Sequence, residues 1–141
     1  MTTRPTIELR NEVTRRAGNR CEYCLLHQDF AASTHQVDHV IAEKHRGATN
    51  SENLALSCTM CNRRKGSDIG ALDPETGQLV RVYNPRTQNW LDHFEVKDAR
   101  IVGLTPEGRA TVELLHLNSY ERMAERAELI HAGHFPIKSE I

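Results

Sequence analysis

Two Cys-x-x-Cys pairs, Cys21-Glu22-Tyr23-Cys24 and Cys58-Thr59-Met60-Cys61, constrain this chain more than any other feature, and they hold all 4 of its cysteines. A Cys-x-x-Cys turn aims both sulfurs at one centre. Two such turns supply four thiolates, the full complement of a tetrahedral Zn²⁺ with no position left open. Closed coordination means a structural metal. A redox pair or four unrelated buried thiols are the alternatives, and the doubled spacing favours zinc through Cys21, Cys24, Cys58 and Cys61. The intervening segment, residues 25–57, is longer than a simple zinc ribbon requires. The chemistry is therefore to be sought between the two pairs.

With 141 residues the chain is expected to be a single domain, 1–141. Apolar residues make up 38% and aromatics 5%, enough for a lean core. No glycine-rich nucleotide fingerprint occurs. No apolar run approaches membrane-spanning length, and the first residues lack an apolar leader. A soluble cytoplasmic protein with no membrane partner is the expectation. Residues 1–66 hold ten basic and seven acidic side chains, whereas 67–141 hold eight and twelve. Any polyanion-binding surface should lie in the first half.

Hydropathy patterning outlines an α+β chain. Apolar positions 7, 9, 13 and 17 give a helical face over Ile7–Ala17, opened by Pro5 and closed by Gly18-Asn19. Thr34–Ala42 reads as a strand, Gly47-Ala48-Thr49-Asn50 as a turn, and Asn53–Leu56 as the return. A short helix follows Cys61 and stops at Gly66. Further on, Gln78–Tyr83 reads as a strand after the turn Asp73–Gly77, with Trp90–Val96 as its expected partner. Ala99–Leu104 is another strand. Thr105 caps a helix with Pro106 at its first position. That helix is expected to run to about His131, with Val112, Leu115, Tyr120, Met123, Ala127 and Ile130 packing into the core.

Four polar residues stand out around the zinc clamp: Asp38-His39 on the first strand, Asn53 before the second knuckle, and Asn62 directly after it. Asp38 and Asn62 offer hard oxygen ligands suited to Mg²⁺ or Mn²⁺. A neutral imidazole such as His39 can take a proton from water near neutral pH. Arg63, Arg64 and Lys65 can hold phosphate. These are the parts of metal-assisted phosphodiester hydrolysis. One tension remains, because adjacent strand residues project from opposite faces, so a strand must end or twist for Asp38 and His39 to serve one site.

The stretch from Cys-Glu-Tyr-Cys through Val37-Asp38-His39-Val40-Ile41 to Cys61-Asn62-Arg63-Arg64-Lys65-Gly66 resembles the HNH endonuclease family. The resemblance implies a zinc-pinned ββα-metal (His-Me finger) core over 20–67, with an N-terminal helix before it. A strand-plus-helix extension, 68–141, would follow. It implies His39 as general base on the attacking water, and Asp38 and Asn62 as ligands of the catalytic divalent cation. Asn53 matches the central asparagine that fixes the loop carrying the histidine. Many members have histidine where this chain has Asn62, a departure that favours Mg²⁺ or Mn²⁺ over softer ions. Arg46, Arg63, Arg64 and Lys65 are the expected contacts to DNA.

A metal-dependent DNA endonuclease is the leading expectation. A zinc-stabilised nucleic-acid-binding module without catalysis is the alternative, and binding alone does not require the Asp38, His39, Asn53 and Asn62 set. The acidic segment 67–141 is a poor match for extended DNA contact. It is expected to serve a homodimer or another partner surface.

Overall fold

A computed structural model of the chain describes residues 2–141. It is α+β, built from short helices and three separate two-stranded antiparallel sheets, and it carries a four-cysteine metal site. The chain divides into two compact units where length alone suggests a single domain. The first extends to Asp68 and takes in Asn84–Thr87; the second comprises Ile69–Tyr83 and Gln88–Ile141. Val13, Leu54 and Leu56 are buried together in the first unit, and Phe94, Ile101, Leu115 and Leu117 are fully buried in the second.

In the first unit α1 spans Ile7–Arg16. Its N-cap is Thr6, whose hydroxyl accepts from Leu9 N–H, so the capping residue is one beyond the expected Pro5. Val13 is fully buried with Leu54 and Leu56, and Leu9, Ala17 and Val37 pack against them. Ile7, the fourth member of the expected face, is exposed. The hairpin pairs β1 (Gln36–His39) with β2 (Leu54–Ser57) in the register Gln36↔Ser57, Val37↔Leu56, Asp38↔Ala55 and His39↔Leu54. Helix α2 (Thr59–Lys65) follows at once and ends at Gly66. It starts inside the second Cys-x-x-Cys turn, because Cys58 caps it: its sulfur accepts from Cys61 N–H. The order β1, β2, α2 is the expected ββα arrangement.

Arg16 ties α1 to the hairpin by donating to the carbonyls of Ser51 (2.9 Å) and Leu54 (2.8 Å). Glu22, inside the first knuckle, docks on β2 by accepting from Leu56 N–H at 2.8 Å and donating its own N–H to Leu56 O at 2.9 Å. Arg86 pairs with the other Glu22 oxygen. Burial pushes the Glu22 carboxyl up, against the pull of the Leu56 N–H and of Arg86.

In the second unit β3 (Gly70–Leu72) pairs with β4 (Leu79–Arg81), and β5 (Phe94–Lys97) with β6 (Arg100–Gly103). The expected pairing of 78–83 with 90–96 does not form. Each strand instead takes its nearest neighbour in sequence, and Trp90–His93 is a short helix, α3. Phe94 is fully buried, with Trp90 at 5.0 Å and Tyr83 at 5.1 Å between ring centroids. The single long helix expected over 106–131 is two: α4 (Pro106–Leu114) and α5 (Tyr120–His131). The chain leaves the helix at His116, whose φ of 50° is left-handed, and the Asn118 amide then clasps both the N–H (2.9 Å) and the carbonyl (2.8 Å) of Ile101. Tyr120, expected in the core, is 85% exposed as a result, and Ile130 is exposed as well. No helix among the described residues is long and apolar enough to cross a membrane.

Candidate active site

The four cysteines form one buried cluster, with their sulfurs all within 4.8 Å of one another. Four sulfurs around a zinc at about 2.3 Å stand roughly 3.7–3.8 Å apart. Cys24 Sγ and Cys58 Sγ are separated by 3.7 Å. In each knuckle the second cysteine's N–H donates to the first one's sulfur, at 3.5 Å for Cys24 and 3.4 Å for Cys61. Burial pushes the Cys21 and Cys61 thiols well above the usual thiol range. Thiolates are stable in such a place only beside a cation. The residues fit structural zinc, and the cluster has no fifth ligand to turn that ion to catalysis.

Zinc fixes both ends of the ββα element. Gln36 and Asp38 lie on one face of β1, two residues apart. That face meets α2: Asn62 Nδ2 donates to Gln36 Oε1 at 2.7 Å. One turn further along α2, Lys65 is 3% exposed and its ammonium lies 3.4 Å from the carbonyl of His39. Burial lowers the Lys65 ammonium from the ordinary lysine range, and the charges of Asp38 and Asp68 raise it. The Lys65 ammonium thus lies inside the fold between α2 and β1, whereas Arg63 and Arg64 are exposed. Half-buried Asp38 makes no hydrogen bond or ion pair among the described residues, and neither does Asn62 Oδ1. Two hard oxygen donors thus remain uncommitted on facing elements, which fits Mg²⁺ or Mn²⁺.

His39 ends β1 and is 4% exposed. Its Nε2 lies 2.8 Å from Thr49 Oγ1. Nδ1 makes no hydrogen bond among the described residues. The alternation foreseen in the sequence is therefore present: Asp38 faces α2, and the His39 ring reaches the loop that follows β1. No hydrogen bond joins His39 to Asp38 or Asn62 among the described residues.

Asn53 braces that loop from both sides. Its Oδ1 accepts from Ile41 N–H (3.0 Å), while Nδ2 donates to Ile41 O (2.9 Å) and Ala48 O (2.8 Å). Its carbonyl accepts from Val40 N–H at 2.8 Å. Gly47 is required there, because a Cβ would lie 1.7 Å from Ile41 O. Arg46, with φ 71°, is exposed at the end of the turn Glu43–His45, and Arg63 and Arg64 are exposed on α2. Sequence reasoning passed over Thr49 as a partner of His39. A threonine in a turn carries no local signal for its partner.

Residues 21–68 match the family model described as HNH endonuclease. The Septu protein PtuB of Bacillus thuringiensis is 27% identical over 116 residues, which is 81% of this chain and 42% of that protein. The chain thus spans less than half the length of this relative. No solved structure gives a significant match. The cysteine cluster, the ββα order and the matching segment together make the stretch 21–68 similar to an HNH endonuclease domain.

Proposed function

We propose that this chain is a metal-dependent endonuclease that hydrolyses DNA phosphodiester bonds. The observation that carries the reading is the pair of uncommitted oxygens, Asp38 carboxylate and Asn62 Oδ1, on the facing elements β1 and α2 of an HNH-family segment. In this reading Asp38 and Asn62 hold Mg²⁺ or Mn²⁺. When bound, that cation supplies charge stabilisation to a nonbridging phosphate oxygen and to the leaving 3′ oxygen. His39 takes a proton from water through Nδ1, and the hydroxide formed attacks phosphorus in line with the departing oxygen. Asn53 keeps the loop after His39 in place. Arg46, Arg63 and Arg64 contact phosphates, which carries most of the salt-dependent affinity. The cut leaves 5′-phosphate and 3′-hydroxyl ends.

Supercoiled plasmid is the test substrate. The zinc-loaded protein is expected to nick it with Mg²⁺ or Mn²⁺ and not with chelator. His39→Ala should retain zinc and lose cutting by about 100-fold or more. Undiminished cutting by His39→Ala removes the assigned base. Salt-sensitive DNA binding with no cutting under any divalent ion replaces the nuclease with a binding module.

A further inference from the structure

Among the described residues the His39 ring makes one hydrogen bond, with Thr49, a residue that neither the sequence motif nor the metal site uses. We propose that Thr49 is a positioning residue: its hydroxyl accepts from His39 Nε2–H and fixes the ring with Nδ1 as the basic nitrogen. The catalytic consequence rests on the nuclease reading above; the contact itself does not.

A neutral imidazole has one N–H and one lone pair, and the bond made by one nitrogen decides which is which. Here Nε2 is 2.8 Å from Thr49 Oγ1, while Nδ1 makes no hydrogen bond among the described residues. With the Thr49 hydroxyl accepting from Nε2–H, the ring lone pair is left on Nδ1, the nitrogen that then takes a proton from water. Among the described residues, the Thr49 hydroxyl is the hydrogen-bond partner of the His39 ring that can select that tautomer and hold its plane.

The placement of Thr49 is built, not incidental. The loop after β1 folds back so that Gly47 N–H donates to Ala42 O at 3.0 Å. Gly47 passes against Ile41 O, where no side chain fits. Asn53 then grips the carbonyl of Ala48, the peptide that leads into Thr49. Asn53 therefore reaches His39 by two routes: directly under Val40, and through Ala48 to the Thr49 hydroxyl.

The test compares Thr49→Val, which keeps the shape and removes the hydroxyl, with Thr49→Ser, which keeps the hydroxyl. The full zinc-loaded chain is used throughout. Long-range ¹H–¹⁵N spectra of the His39 ring, recorded without Mg²⁺, report the tautomer; plasmid nicking with Mg²⁺ reports kcat and KM. The parent and Thr49→Ser are expected to show the Nε2–H form. Thr49→Val should show a mixture, with kcat down about 10–100-fold and KM within about twofold, as misaligned catalytic groups behave. An Nδ1–H form in the parent overturns the proposal, as does an unchanged tautomer and kcat in Thr49→Val. If circular dichroism shows Thr49→Val unfolded, Thr49→Ala against Thr49→Ser makes the same comparison. A parent that cuts no DNA with Mg²⁺ or Mn²⁺ overturns the nuclease reading, while the ring spectra still decide whether Thr49 fixes His39.

Discussion

Arg46 has φ 71°, a left-handed backbone that costs a non-glycine residue roughly 1 kcal/mol. Its exposed side chain stands at the end of the turn that follows β1. Arg46→Gly should therefore raise stability by about 1 kcal/mol in denaturant unfolding while weakening DNA binding and flattening its salt dependence. A variant that is both more stable and equally tight on DNA removes Arg46 from the interface. Asn53 gives a second residue-scale prediction. Asn53→Asp keeps the acceptor for Ile41 N–H but turns an oxygen toward the carbonyls of Ile41 and Ala48. Losing two donated hydrogen bonds and opposing like charges should cost about 2–4 kcal/mol, seen in thermal unfolding, with nicking slowed further than the stability loss explains. Asp38, His39, Asn53 and Asn62 were legible in the sequence as chemical types at family spacing. The partners of Lys65 and Thr49 were not, because each contact depends on how a loop or a helix lies on β1.

At the scale of elements, the zinc knuckles do what a larger core does in bigger proteins. Strands of four residues and a helix of seven are marginal alone, and here sulfur closes both ends of β1, β2 and α2. Cys61→Ser should abolish stoichiometric zinc in metal analysis and melt this element, seen as lost amide protection across residues 36–65. The hairpin of β3 and β4 uses a different fastener. Asp73, fully buried, accepts from Glu75 N–H at 3.0 Å and from the Thr76 hydroxyl at 2.9 Å, and pairs with Arg109 at 2.8 Å. The Arg109 guanidinium above all, with those donors, holds its carboxyl well below the usual carboxylate range. The sign follows directly: the folded state prefers the ionised form, so this stability is complete above the unfolded value near 4 and is lost as pH falls toward the depressed one. Acid titration of Asp73→Asn should show a shallower loss of the second unit's amide protection below about pH 4 than the parent shows. An identical acid profile refutes that role. Helix α1, the hairpin and α2 were legible because periodicity and cysteine spacing agree locally. The division of 106–131 into α4 and α5 was not, because a left-handed His116 and the docking of Asn118 on the distant Ile101 leave no local periodic signal.

For the whole molecule, the two units have separate means of support. Val13, Leu54, Leu56 and the cysteine cluster sustain the first; Trp90, Phe94, Ile101 and Leu115, all buried, sustain the second, which contains no cysteine. A strong chelator is therefore expected to erase hydrogen-exchange protection in α1, β1, β2 and α2 while α4, β5 and β6 keep theirs. Simultaneous loss in both would show one cooperative fold. By itself the sequence determined the metal centre, the ββα order and the chemical types of the candidate site, since these follow from spacing and donor chemistry that act over a few residues. Tertiary structure alone decided that the His39 ring meets Thr49, that Lys65 faces inward, and how the later strands pair. Those outcomes depend on contacts between residues far apart in the chain, where competing pairings differ by packing and hydrogen bonding that no local pattern encodes.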